Sequence, residues 1–360
     1  MIDWHCMRFR VASRFFFPAL NPSLSVFIAL LLTLGSGLSP AAAQGLGGGP
    51  VTVGKGGALQ LGGLVQADLR LGQENAPDGF RARSARLRVG GEVKGLAYVV
   101  QTDFTSSDVL LDAYVQLPFA DRARIQGGLF KTPYSSELLA PRPRIRFAER
   151  APVVNALAPA RQAGLKLVGN LTGSESTPLT VTVGVFNGTR GLSPNDNDHF
   201  LYLGRVNGGF PLGPGQVDLG ASVGYSVDDG VTIPNTNPSF SGTRFLFQAD
   251  AEYEAGRWLL ASEVHAASLD SDRPTIPSAG SRSPFGFYVT AGAEVAEGHQ
   301  VLARLDSYDP DAPTTRIQEE QIALGYNYDI STIFRVLVNY QAPTDELTGG
   351  FVTGRLQVAF

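Results

Sequence analysis

Arginines at two-residue spacing are the residues in this chain with the clearest chemical use. Arg86 and Arg88, and again Arg122 and Arg124, stand at i, i+2, so in an extended strand both members of a pair project from one face. The run Arg142-Pro143-Arg144-Ile145-Arg146 repeats the spacing. Residues before proline avoid the α region, so this run is expected to be extended, with three guanidiniums on one side about 6–7 Å apart. Such a row suits successive contacts with an anion. From Lys131 to Lys166 there are seven basic residues, Lys131, Arg142, Arg144, Arg146, Arg150, Arg161 and Lys166, against two acidic ones, Glu137 and Glu149.

Other chemistries find little support. The single cysteine, Cys6, lies in an export signal, so no disulfide, thiolate metal site or cysteine nucleophile is expected in the exported protein. His199, His265 and His299 follow the signal, with His265 beside Glu263 on one strand face, but no serine–histidine–carboxylate arrangement is legible. Asn195-Asp196-Asn197-Asp198 and Asp270-Ser271-Asp272 have carboxylate spacing that could hold Ca²⁺ but lack its full ligand set, and read as solvated loop charge. No enzymatic activity, cofactor, metal or nucleic-acid partner is expected.

The elements that must position the arginines are strands. Residues 1–43 read as a removed signal peptide: Arg8, Arg10 and Arg14, then the apolar run Val26 to Leu32, then Ala41-Ala42-Ala43. Removing it leaves 26 basic and 32 acidic residues, a mildly acidic chain that concentrates its positive charge in one stretch. After residue 44 no helix-period segment is long enough to span a bilayer, whereas two-residue alternation recurs throughout. Leu59, Leu61, Val65, Ala67 and Leu69 oppose Gln60, Gln66, Asp68 and Arg70; Phe245, Phe247, Ala249 and Ala251 oppose Arg244, Gln248, Asp250 and Glu252. Sixteen such segments begin near residues 59, 82, 96, 109, 121, 164, 178, 200, 215, 243, 256, 284, 299, 318, 331 and 349. The last ends on Phe360, the aromatic terminus of an outer-membrane strand.

The expected fold is therefore all-β: a transmembrane antiparallel barrel of about sixteen strands over residues 44–360. Sixteen strands enclose a water-filled lumen. The alternation turns Arg70, Arg86, Arg88, Arg122, Arg124, Lys166, Arg205 and Arg244 toward it. Residues 131–163 interrupt the strand pattern, and their prolines suit a loop folded inward as a constriction. In that reading the loop and wall arginines form an anion filter. The competing reading pairs wall arginines with facing carboxylates and leaves the loop outside, near lipopolysaccharide phosphates.

Gly128-Leu129-Phe130-Lys131-Thr132-Pro133-Tyr134-Ser135-Ser136-Glu137, then Phe147-Ala148-Glu149-Arg150-Ala151 and Ala160-Arg161-Gln162-Ala163-Gly164, resembles the phosphate-selective porin O and P family. The resemblance implies a sixteen-stranded, trimeric outer-membrane porin that passes small anions, with Lys131, Arg150 and the basic loop positions as pore-lining cations. The chain departs from the lysine-rich phosphate-specific members in having only four lysines, Lys55, Lys94, Lys131 and Lys166, and acidic external loops. The expected function is passive diffusion of small hydrophilic solutes with a preference for phosphate or other small anions. A weakly selective porin and a non-conducting surface adhesin are the alternatives.

Overall fold

A computed structural model describes residues 51–53, 57–73, 76–172, 177–231, 240–271, 281–311 and 319–360; the expected export signal lies outside them. The strands are β1 (Val51–Val53), β2 (Gly57–Leu71), β3 (Gly79–Val93), β4 (Leu96–Asp103), β5 (Leu110–Ala120), β6 (Ala123–Lys131), β7 (Arg161–Asn170), β8 (Leu179–Phe186) and β9 (Leu201–Leu212). They continue as β10 (Gly215–Val231), β11 (Phe240–Ala255), β12 (Trp258–Ser271), β13 (Phe285–Ala296), β14 (His299–Asp309), β15 (Glu319–Asp329), β16 (Phe334–Pro343) and β17 (Phe351–Ala359).

From β2 to β17 each strand pairs antiparallel with the next. β17 then pairs with β2, closing a sixteen-stranded barrel. The short β1 pairs with the start of β2. Every expected strand start falls within three residues of an observed one. Closure leaves no sheet edge, which is what satisfies the backbone in lipid. At the seam Phe360 exchanges backbone hydrogen bonds with Gly63 (2.8 and 3.1 Å) and its ring lies where a Cβ on Gly63 would be.

Alternation sorts the two faces. Leu61, Val65, Leu165, Val183, Val223, Leu260, Leu324 and Leu356 are exposed on the outside, whereas Gln66, Asp68, Gln126, Arg205, Gln248, Arg304 and Arg355 are buried inside. An exposed apolar belt around a closed barrel faces lipid rather than water. One end of the barrel carries tight turns. Lys94-Gly95, for example, has positive φ at both residues (52° and 81°), the geometry of a two-residue hairpin. The other end carries longer connections.

The longest connection is 132–160, three residues shorter at its far end than expected, because Arg161 already begins β7. It holds three short helical turns, Ser136–Leu139, Arg142–Arg144 and Pro152–Leu157. Its apolar side chains make it fold inward. Tyr134, Leu138, Val153, Val154 and Leu157 pack with Phe186, Leu201, Leu246, Leu269, Tyr288 and Tyr308 from the inner wall. Two wall glycines provide sockets: a Cβ on Gly286 would lie 2.7 Å from Val153, and one on Gly325 3.0 Å from the Phe147 ring. The loop's apolar side thus lies mainly against β8–β14, while toward β2, β3 and β6 its contacts are polar, through Glu149, Arg142 and the Leu139 and Ala140 carbonyls.

Candidate permeation pathway and its constriction

The loop is fixed first. Glu263 on β12 accepts from Ser135 Oγ (2.6 Å), Ser136 Oγ (2.5 Å) and the Glu137 backbone N–H (2.6 Å), and contacts His265 Nε2 (2.9 Å). The carboxylate stands between serine and histidine and all three are buried, so the histidine cannot serve the serine as a base. At the other end of that turn, Lys131 Nζ donates to the Leu139 and Ala140 carbonyls (3.2 and 2.7 Å). Arg150 donates to the carbonyls of Glu137, Leu138 and Ala140. A carboxylate at the N-terminal end and two cations at the C-terminal end satisfy the groups a short helix leaves unpaired. Arg146 reaches Glu252 on β11 through both terminal nitrogens (3.1 and 2.5 Å). Asn339 accepts from the Ala148 N–H, and Asn327 donates to the Arg146 carbonyl.

Between the loop and the β2–β7 wall lies a cavity of about 500 Å³. Arg86, Arg88, Lys131, Arg142, Arg161 and Lys166 line it, and Asp112 is the one acidic side chain on its wall among the described residues. Arg86 is held by Asp103 (2.9 Å) and Arg161 by both oxygens of Asp112 (3.0 and 3.1 Å). Lys166 lies over the Phe130 ring at 4.7 Å. Among the described residues no carboxylate pairs with Arg88 or Lys166, and both face the cavity.

Two expectations are corrected. The 142–146 run is not extended. Pro141 and Pro143 sit at the start of a 3₁₀ turn, where a fixed φ and a missing N–H cost nothing, and the Arg144 N–H returns to the Pro141 carbonyl (2.8 Å). The three guanidiniums therefore diverge: Arg142 is buried, Arg144 is exposed, and Arg146 is bound to Glu252. Nor do Arg122 and Arg124 share a strand face, because Arg122 occupies the β5–β6 turn. Both are exposed at the tight-turn end, beside Glu92 and Asp121.

A second cluster escaped the sequence reading. Glu149 of the loop meets Arg70 (3.1 Å), Arg81 (3.1 Å), Arg83 (2.9 Å), Arg142 (3.6 Å) and Arg355 (3.8 Å). Asp68 shares Arg81 and Arg355 (3.0 and 2.7 Å). Arg81 and Arg83 were missed because strict alternation from Arg86 turns them outward. A bulge between Gln66 and Ala67 adds Arg83 to β3 and reverses the phase above it. Burial works against the charged form of Glu149, but the hydrogen-bonded Arg83 guanidinium and the charges of Arg142 and Arg355 bring its pKa down to about 2. Burial, reinforced by the charge of Arg83, lowers Arg142 to about 9. Arg142 also lines the cavity, so it links the two basic clusters.

A closed sixteen-stranded barrel with an apolar exterior, a charged interior and one loop folded into it is a porin. Residues 59–205 match the model of the phosphate-selective porin O and P family, the stretch that holds the motifs described above. The chain is thus an outer-membrane channel through which small solutes diffuse, seated in the bacterial outer membrane. In fold it is similar to OmpT of Vibrio cholerae, solved in trimer form (TM-score 0.61, 17% identity, 84% of this chain and 99% of that one). It is also similar to an anion-selective porin from Comamonas acidovorans (0.59, 15%, 84% and 100%). The outer membrane channel DcaP of Acinetobacter baumannii is a third such structure (0.55, 12%, 85% and 98%). No curated protein matches the chain in sequence.

Proposed function

We propose that this porin prefers anions, phosphate or other small oxyanions among them, and that they pass along the β2–β7 wall. The observation that carries this is the cavity beside the inserted loop, with six basic side chains and one acidic side chain on its described wall. Lys131 and Arg150 spend their donors on loop carbonyls and act mainly by holding the constriction, with Arg146. Arg86 and Arg161 are partly neutralised by their carboxylates. Arg88 and Lys166, with Arg142 shared with Glu149, are left to set the field in the passage, and Arg124 and Arg144 are exposed beyond it. Fixed cations raise the local anion concentration, and separate weak sites let an ion move on.

The described mouth residues Glu319, Glu320 and Asp345 line an acidic recess that opposes this preference from outside, so its strength depends on the inner wall. The trimeric form of the V. cholerae relative supports a homotrimer here, and residues 1–43 are proposed as the export signal of a barrel domain spanning 44–360.

The test is Arg88→Ala with Lys166→Ala, since neither residue holds the loop. The double variant should fold and its reversal potential in a KCl gradient should move toward potassium, by roughly a twofold or larger fall in the chloride-to-potassium permeability ratio. An unmoved potential would remove this wall from the selectivity mechanism.

A further inference from the structure

Five guanidiniums converge on Glu149, and among the described residues only Asp68 shares them in an ion pair, so the cluster holds more positive charge than these two carboxylates cancel. It is accessible from within the barrel: Glu149 is 23% exposed and Arg81 39%. Its donors are not saturated either. Arg142 Nη2 and Arg70 Nε are buried without a hydrogen-bond partner. Each oxygen of Glu149 sits where an oxygen of a passing oxyanion would sit, with Arg83 across both and Arg70 and Arg81 on one.

We propose that Glu149 is a resident counter-anion: its carboxylate occupies the arginine cluster and so limits how tightly the cluster holds a permeating anion. This rests on the anion-preferring reading above and names the residue that tunes it. Conduction needs sites strong enough to draw an ion in and weak enough to release it. Five arginines facing an empty centre would bind a small oxyanion in several charge-assisted contacts and release it slowly. A carboxylate tethered there competes at high effective concentration without ever leaving. An incoming anion then meets only the surplus charge and hands on to Arg142, which reaches the cavity below.

The test compares wild type, Glu149→Gln and Glu149→Asp in planar bilayers, measuring chloride current as inorganic phosphate is added. Glutamine keeps the size and one accepting oxygen but removes the charge, so the phosphate concentration that halves the current should fall roughly tenfold or more. Aspartate keeps the charge and should behave as wild type. An unchanged half-blocking concentration in Glu149→Gln, or an aspartate variant that blocks like glutamine, would overturn the proposal while leaving an anion-selective wild type intact. A wild type without anion selectivity would remove the reading beneath it. Should Glu149→Gln not fold, Arg81→Gln probes the same balance from the other side. It should raise the half-blocking concentration, and no rise would again overturn the proposal.

Discussion

Glu137 shows how closely single side chains are balanced inside this barrel. Its carboxyl accepts from the Ala151 N–H (3.0 Å) and stands 3.5 Å from Arg304. Burial, with the nearby Glu263 charge adding to it against Arg304, raises its pKa from 4.5 to about 7. A raised carboxyl pKa means the folded protein binds more protons than the unfolded chain between these two values, so stability falls as pH rises through that window. Relative to Glu137→Gln, wild type should lose up to ~3 kcal/mol between about pH 4.5 and 7. Urea unfolding in detergent at several pH values would show this. A wild-type-to-variant difference constant with pH would contradict it. Nothing in the sequence around Glu137 signals this, because its burial arises only on folding and the Glu263 charge that adds to it lies more than a hundred residues away. The basic residues themselves were legible at this scale, but their partners were not: Lys131 and Arg150 looked like free pore cations until the loop placed carbonyls beside them.

Strands were readable because the period of two is local and is enforced by two different solvents on the two faces. The loop resisted for the opposite reason. Its apolar residues pack on strands far off in sequence, and its prolines, which argue against a helix in isolation, here begin the 3₁₀ turn at Arg142 and the helix at Pro152. The β3 bulge is another limit, since one inserted residue reversed the inward face and hid Arg81 and Arg83. Gly128 marks where element geometry is least forgiving. It has φ 127°, and a Cβ there would lie 2.2 Å from the Ala113 carbonyl oxygen and 2.8 Å from Tyr114 Cα, both in the paired strand. Gly128→Ala should therefore fail to yield the compact folded band in unheated gel electrophoresis. Gly95→Ala, at a turn with open space around it, should cost only ~1–2 kcal/mol for its positive φ. A normally folded Gly128→Ala barrel would mean that the β5–β6 ladder can shift to admit a side chain.

The molecule as a whole divides its lumen by chemistry. Apolar packing seats the loop against β8 to β14, carboxylate and amide contacts anchor it from β11 to β17, Glu149 ties it to the arginines of β2 and β3, and the arc from β2 to β7 presents cations to the cavity. Selectivity in this account is a property of that asymmetry and of its charge balance. The most direct test of the basic wall is the zero-current potential of the wild-type protein in a planar bilayer across a KCl gradient at neutral pH. A chloride-selective potential, reduced by added salt as screening grows, is the expected result. A potential at zero or of potassium-selective sign would contradict it, and would mean that the acidic mouth, not the basic wall, governs passage.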